Sequence, residues 1–174
     1  AEAAAGVGEI EVTSYVPPKL IPQFVDAEEV TRRALAIGGL TVAALIPNSR
    51  GAERGIALGV HKLNFVMSVS RTHNLKNVRR EREESVADFK KIVEMVRAEP
   101  AGRRPKIVGG LSTALGCSYE GRVAVADVVK YAVQLAEAGA DEIVVADTVG
   151  YADPVQVRTV FKAVMAALGE LPVA

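Results

Sequence analysis

Glu11 is the residue whose placement most invites chemistry. It lies inside the short run Glu9-Ile10-Glu11-Val12-Thr13-Ser14. Strand alternation sends Ile10 and Val12 toward a covering layer and points Glu11 and Thr13 into the protein. A carboxylate there is tolerated when it is paired, hydrogen-bonded or beside a metal. Glu11 is thus a candidate to orient or deprotonate a substrate, and the competing reading is an interior salt bridge. Asp147 is the second carboxylate. Asp147-Thr148-Val149-Gly150 follows another apolar run and brings a carboxylate, a hydroxyl and a tight turn together. The alternative is an Asp that accepts backbone N–H bonds within its own loop. Asn48, after Pro47, closes a third run and either binds a ligand or makes a turn.

The segment Leu111-Ser112-Thr113-Ala114-Leu115-Gly116-Cys117-Ser118-Tyr119-Glu120-Gly121 is small, hydroxylated and punctuated by Gly. That composition suits close approach of backbone to a ligand. Neither histidine, His61 nor His73, is a sequence neighbour of Cys117, which reads as a half-buried loop thiol rather than a nucleophile. The stretch from Ser68 to Arg82 collects Arg71, Lys76, Arg79, Arg80 and Arg82. It either draws a phosphate-bearing substrate or forms a solvated loop and first helical turn. No His-x-His, Cys-x-x-Cys or His-Glu-x-x-His occurs, so no metal ligands are assigned.

The elements behind these residues repeat one phrase. Gly6–Ser14, Gly59–Ser68 and Gly139–Thr148 each start at a Gly after an Ala-rich helical stretch, cross an apolar run and end on polar residues. Strands are expected at roughly 8–14, 41–46, 62–68, 105–112 and 141–147. Helices are expected at about 26–37, 50–58, 83–98, 122–138 and 153–168, with Asp26 and Asp153 as N-caps. Strict alternation implies parallel strands joined by right-handed crossovers. No Gly-rich phosphate turn follows any strand, which argues against a doubly wound nucleotide fold. The α/β fold class expected is a (β/α)8 TIM barrel with about five central units present, as a single domain over 1–174. Five such strands leave two open edges. The chain starts without Met, and Leu171-Pro172-Val173-Ala174 reads as the start of a further strand, so a longer natural chain or a partner covering the edges is expected.

Bulk properties narrow the class. The length of 174 residues suffices for one core, and 49% hydrophobic residues with 5% aromatics point to an Ala, Val, Ile and Leu interior. Zero formal net charge gives no global field for nucleic acid or an anionic membrane. One cysteine excludes an internal disulfide framework, so a soluble protein of a reducing compartment is expected.

Taken in order, the strand tips resemble the 3-hydroxy-3-methylglutaryl-CoA lyase family. The segments are Glu11-Val12-Thr13-Ser14-Tyr15-Val16-Pro17-Pro18-Lys19-Leu20-Ile21-Pro22-Gln23, Pro47-Asn48-Ser49-Arg50-Gly51, Ser68-x-Ser70-x-x-His73-x-x-x-Asn77, Ser112-x-x-x-Gly116-Cys117-x-Tyr119-Glu120-Gly121 and Asp147-Thr148-x-Gly150. Gly110 stands where that family often has an aromatic residue, and Ser118 where it usually has Pro. The resemblance implies a metal-dependent barrel, with this chain matching strands 2–6. It implies cleavage of an acyl-CoA substrate, a Mg²⁺ or Mn²⁺ cofactor and a homo-oligomer, a dimer. It also implies a cytoplasmic or mitochondrial-matrix location. Glu11 and Asp147 carry over as catalytic carboxylates, and Asn48, Ser112 and Thr148 as substrate-binding neighbours. The family's metal ligands and reactive cysteine would lie outside residues 1–174, and the segment alone is expected to be inactive. Two alternatives stand beside this reading: a related condensing synthase of the isopropylmalate or homocitrate type, and a non-catalytic half-barrel stabilised by a partner.

Overall fold

A computed structural model describes residues 1–174. Five parallel strands form one sheet: β1 (Glu9–Ser14), β2 (Thr41–Ile46), β3 (Lys62–Ser68), β4 (Lys106–Ser112) and β5 (Glu142–Val145). Their spatial order is their chain order, β1-β2-β3-β4-β5. A doubly wound sheet reverses direction partway, and this one never does. Helices α1 (Ala27–Leu35), α2 (Ser49–Leu58), α3 (Arg71–Val78), α4 (Arg82–Ala98), α5 (Val125–Ala138) and α6 (Pro154–Leu168) follow the strands, one after each except that α3 and α4 both lie between β3 and β4. No helix is long and apolar enough to cross a membrane.

Alternation along each strand divides the residues between two faces. Leu63, Phe65 and Met67 of β3 join Ile107 and Leu111 of β4 in a core with Ala52, Phe89, Ile92, Leu135 and Val164 from the helices. Ile10, Val12 and Val42 pack with Ala34 and Leu35 of α1. The opposite face carries polar side chains. There the Lys62 ammonium sits 2.8 Å from Glu9 on β1 and 2.8 Å from Glu142 on β5. Strands lie about 4.8 Å apart, so β1 and β5 of a flat sheet would stand about 19 Å apart. One lysine nitrogen can touch both carboxylates only if the sheet curls around it. Burial acts to lower the Lys62 pKa, but the hydrogen bonds to Glu142 and Glu9 outweigh it and raise the group above its ordinary value.

The helix starts show which local signals operate. Asp153 accepts the N–H groups of Val155 and Gln156 and caps α6, with Pro154 at the first position. Asp26 holds the cap position of α1 but makes no capping hydrogen bond, so it differs from expectation. Helix α3 falls in the stretch that the sequence reads as a loop and first helical turn. It starts at Ser70, whose hydroxyl accepts the His73 N–H, and it is held by Asn74, whose side chain bonds Ser68, Arg80 and Ser85. At the chain's end Val173 pairs in parallel with Ile143 of β5, as expected for the start of another strand.

Candidate active site

All five strands end on the same side, where a cavity of about 790 Å³ opens. Glu11, Thr13 and Ser14 of β1 line it, with Leu45, Pro47 and Asn48 from the end of β2 and Val66 of β3. His73, Asn77, Arg79 and Arg80 follow from α3 and its exit, and Ser112 and Thr148 close the far wall. The loop after β1 adds an apolar side made of Val16, Leu20, Ile21 and Phe24. Leu20 is 63% exposed, so this side opens toward solvent.

Glu11 is the carboxylate of this cavity. The pairing register slips between Glu11 and Thr13, a bulge of the kind that re-aims a side chain at a strand end. One Glu11 oxygen, Oε2, accepts a 2.6 Å hydrogen bond from Asn64 Nδ2, and the chain supplies none to Oε1. The ion pair with an interior lysine belongs instead to Glu9, one layer down.

Asn48 serves two readings at once. Its Oδ1 accepts the Gly51 N–H and caps α2, which leaves the Nδ2 group for the cavity. Thr148 Oγ1 accepts the Thr113 N–H at 2.7 Å, and its own hydroxyl proton stays free to donate. Thr113 has φ +55°, a strained value for a β-branched residue, and bonds from Ser70 N and to Ser112 O hold it there. Asp147 itself does not line the cavity. Its two oxygens accept the N–H groups of Tyr151 and Ala152, which ties the loop carrying Thr148.

His73 and Ser68 extend the site. Ser68 Oγ and His73 Nδ1 lie 2.7 Å apart, and His73 lines the cavity. The basic stretch is largely neutralised: Arg71 pairs with Glu81, Arg80 with Asp88 at 2.6 Å and Arg82 with Asp127 at 3.7 Å. Arg79, at φ +57°, makes no ion pair and stays at the rim. Cys117 is buried, with its thiol donating to Ser70 Oγ at 3.0 Å, and it does not line the cavity. Burial acts to raise the neighbouring Glu120 carboxyl, but hydrogen bonds from Thr72 and Ser70 outweigh it and leave the group below its ordinary value.

A divalent ion of the Mg²⁺ or Mn²⁺ type needs several hard donors converging. No three of His, Cys, Asp and Glu come together in this chain, and Glu11 is the one carboxylate in the cavity. These residues do not form such a site by themselves.

The description HMGL-like attaches to the family model that matches residues 2–174. The chain belongs to the HMGL-like family. Among relatives of this HMGL-like chain, the hydroxymethylglutaryl-CoA lyase YngG of Bacillus subtilis is 38% identical over 161 residues, covering 92% of the chain and 52% of the relative. The mitochondrial hydroxymethylglutaryl-CoA lyase of Rattus norvegicus is 35% identical over 170 residues, covering 98% and 50%. A solved HMG-CoA lyase of Acinetobacter baumannii, in complex with coenzyme A and 3-methylmalate, superposes with a TM-score of 0.87 at 33% identity. That match covers 98% of this chain and 55% of the other. The chain thus spans about half the length of the relatives it matches. The match to half of a TIM-barrel lyase agrees with the curled, sequentially ordered sheet.

Asn64 is the site residue that sequence reading passed over. A signal was present, since Asn64 shares the strand face of Lys62 and stands between Leu63 and Phe65 where an interior strand is usually apolar.

Proposed function

We propose that this protein cleaves 3-hydroxy-3-methylglutaryl-CoA to acetyl-CoA and acetoacetate, a retro-Claisen reaction. The observation that carries the reading is the cavity at the strand tips. There Glu11 stands alone among hydroxyl and amide groups, and an apolar wall leads outward beside the unpaired Arg79. The family and its lyase-named relatives support the same reaction.

Each residue's chemistry follows from what its neighbours leave free. Glu11 Oε1 accepts a hydrogen bond from the substrate's tertiary hydroxyl and orients it for loss of its proton. Ser112, Thr148 and the Asn48 amide are donors, so they suit the free carboxylate and thioester oxygen of the acyl group. Asp147 acts at one remove by fixing the loop that presents Thr148. Val16, Leu20, Ile21 and Phe24 cover the pantetheine arm, and Arg79 meets a coenzyme A phosphate at the rim. The Mg²⁺ or Mn²⁺ that the resemblance implies has no complete ligand set here, so these residues supply binding, orientation and proton handling.

The test uses the full-length protein with Mg²⁺ or Mn²⁺ and the lyase substrate. Acetyl-CoA release is expected in the wild type. Glu11→Gln should lower kcat by about a hundredfold or more with the folded state intact. Condensation of acetyl-CoA with a 2-oxo acid in place of cleavage would move the assignment to the synthase branch. Unchanged turnover in Glu11→Gln would remove Glu11 from the mechanism.

A further inference from the structure

Asn64 occupies an interior strand position at a disadvantage to the fold. Its Oδ1 is buried with no hydrogen-bond donor. The amide orientation is dictated by its partner, because a carboxylate only accepts and Nδ2 must face Glu11. Glu11 is itself exposed, so water could satisfy its carboxylate without help. A leucine at position 64 would remove the orphaned acceptor and add apolar contact. The fold therefore gives no reason for an asparagine here, and the reason lies with Glu11.

The approach of the two side chains is built into the sheet. Glu11 is on β1 and Asn64 on β3. The β2 residue paired with Glu11 is the buried Ala43, which also pairs with Lys62, whereas Asn64 pairs with Leu45. The two side chains thus meet diagonally across β2. The small Ala43 side chain leaves room on the Glu11 side of that diagonal. The bulge after Glu11 then sets the direction in which the carboxylate leaves the strand. We propose that Asn64 is a positioning residue: by holding Glu11 Oε2 it keeps the carboxylate in one rotamer with Oε1 facing the cavity. What Oε1 does there rests on the lyase reading above.

A structural role and a positioning role predict opposite results. In the full-length protein, Asn64→Leu should keep or raise Tm while kcat falls by about tenfold to a hundredfold and KM stays within about twofold. A second readout needs no turnover. The Asn64 side-chain amide proton should resonate downfield in the wild type and return to the ordinary amide range in Glu11→Ala. A normal kcat in Asn64→Leu, or a lowered Tm that accounts for the lost activity, overturns the inference and leaves the lyase reading intact. A wild type without cleavage overturns the lyase reading. The inference is then decided by the amide resonance, which overturns it if Glu11→Ala leaves the proton unmoved.

Discussion

Tyr131 shows how one side chain can tie two helices and give the molecule an alkaline limit. Its hydroxyl donates to Glu83 of α4 at 2.8 Å, while Arg82 and Lys130 lie over its ring at 5.1 and 4.8 Å. Burial, and then the Glu83 carboxylate, push its pKa from 10.0 up to about 12. A group whose folded pKa is raised stabilises fully below its unfolded value and loses that contribution as pH rises through the folded one. Wild-type stability should therefore fall between pH 10 and about 12, and Tyr131→Phe should flatten that limb in urea titrations. Because Glu83 is largely exposed, the neutral-pH loss in Tyr131→Phe should be only about 1 kcal/mol. The hydrogen bond from Tyr131 also leads in lowering the Glu83 pKa, a contribution present above about 4.5 and lost as pH falls through the lowered value. Nothing in the sequence announced this pairing, because Glu83 and Tyr131 are 48 positions apart. The direction of Glu11 was legible, since alternation with Ile10 and Val12 leaves one choice of face. The two readings of Asp147 were not separable by spacing, and what the carboxylate bonds depends on where Tyr151 and Ala152 place their N–H groups.

Among the elements, β3 and β4 leave no room for a side chain at Gly110. A methyl group there would stand 2.7 Å from the Phe65 carbonyl oxygen, a backbone atom that cannot move without parting the strands. Gly110→Ala should lower unfolding free energy by about 2–3 kcal/mol in denaturant titrations. At Gly55 the nearest atom to an added methyl is the flexible tip of Leu63, so Gly55→Ala should be milder. Most strands were legible as apolar runs bounded by Gly or Pro and polar residues, and β1 by the alternation of Ile10 and Val12 with Glu11 and Thr13. Helix α3 was not, because Arg71-Thr72-His73-Asn74-Leu75-Lys76-Asn77-Val78 carries no apolar stripe. Its order comes from Ser70, which caps the His73 N–H three residues on, and from Asn74, which bonds across to Ser85 on the next helix. Asp26 erred the other way: residue type and position suit a cap, yet the backbone does not bring its side chain onto an N–H.

At the scale of the molecule, the Glu9–Lys62–Glu142 triad closes the interior beneath the cavity. The Lys62 side chain is 11% exposed, while Glu9 and Glu142 are 47% and 22% exposed. Lys62→Met should leave two facing carboxylates and lower stability by about 1–2 kcal/mol, solvent screening at Glu9 holding the loss below that of a fully buried pair. Thermal melts at low and high salt would check it, and the wild type should lose more than Lys62→Met as salt rises. Fold class was open to sequence because a repeat of helix, Gly, strand and polar tip has few solutions. The triad was not, because Glu9, Lys62 and Glu142 share no local pattern and meet only once the sheet has curled. The order β1-β2-β3-β4-β5 also bears on how the chain is made. Every strand docks on the one synthesised just before it, so no gap has to be kept open for a later segment to insert. A chain emerging from the ribosome can lay down this sheet one unit at a time, and each completed strand is the template on which the next one pairs.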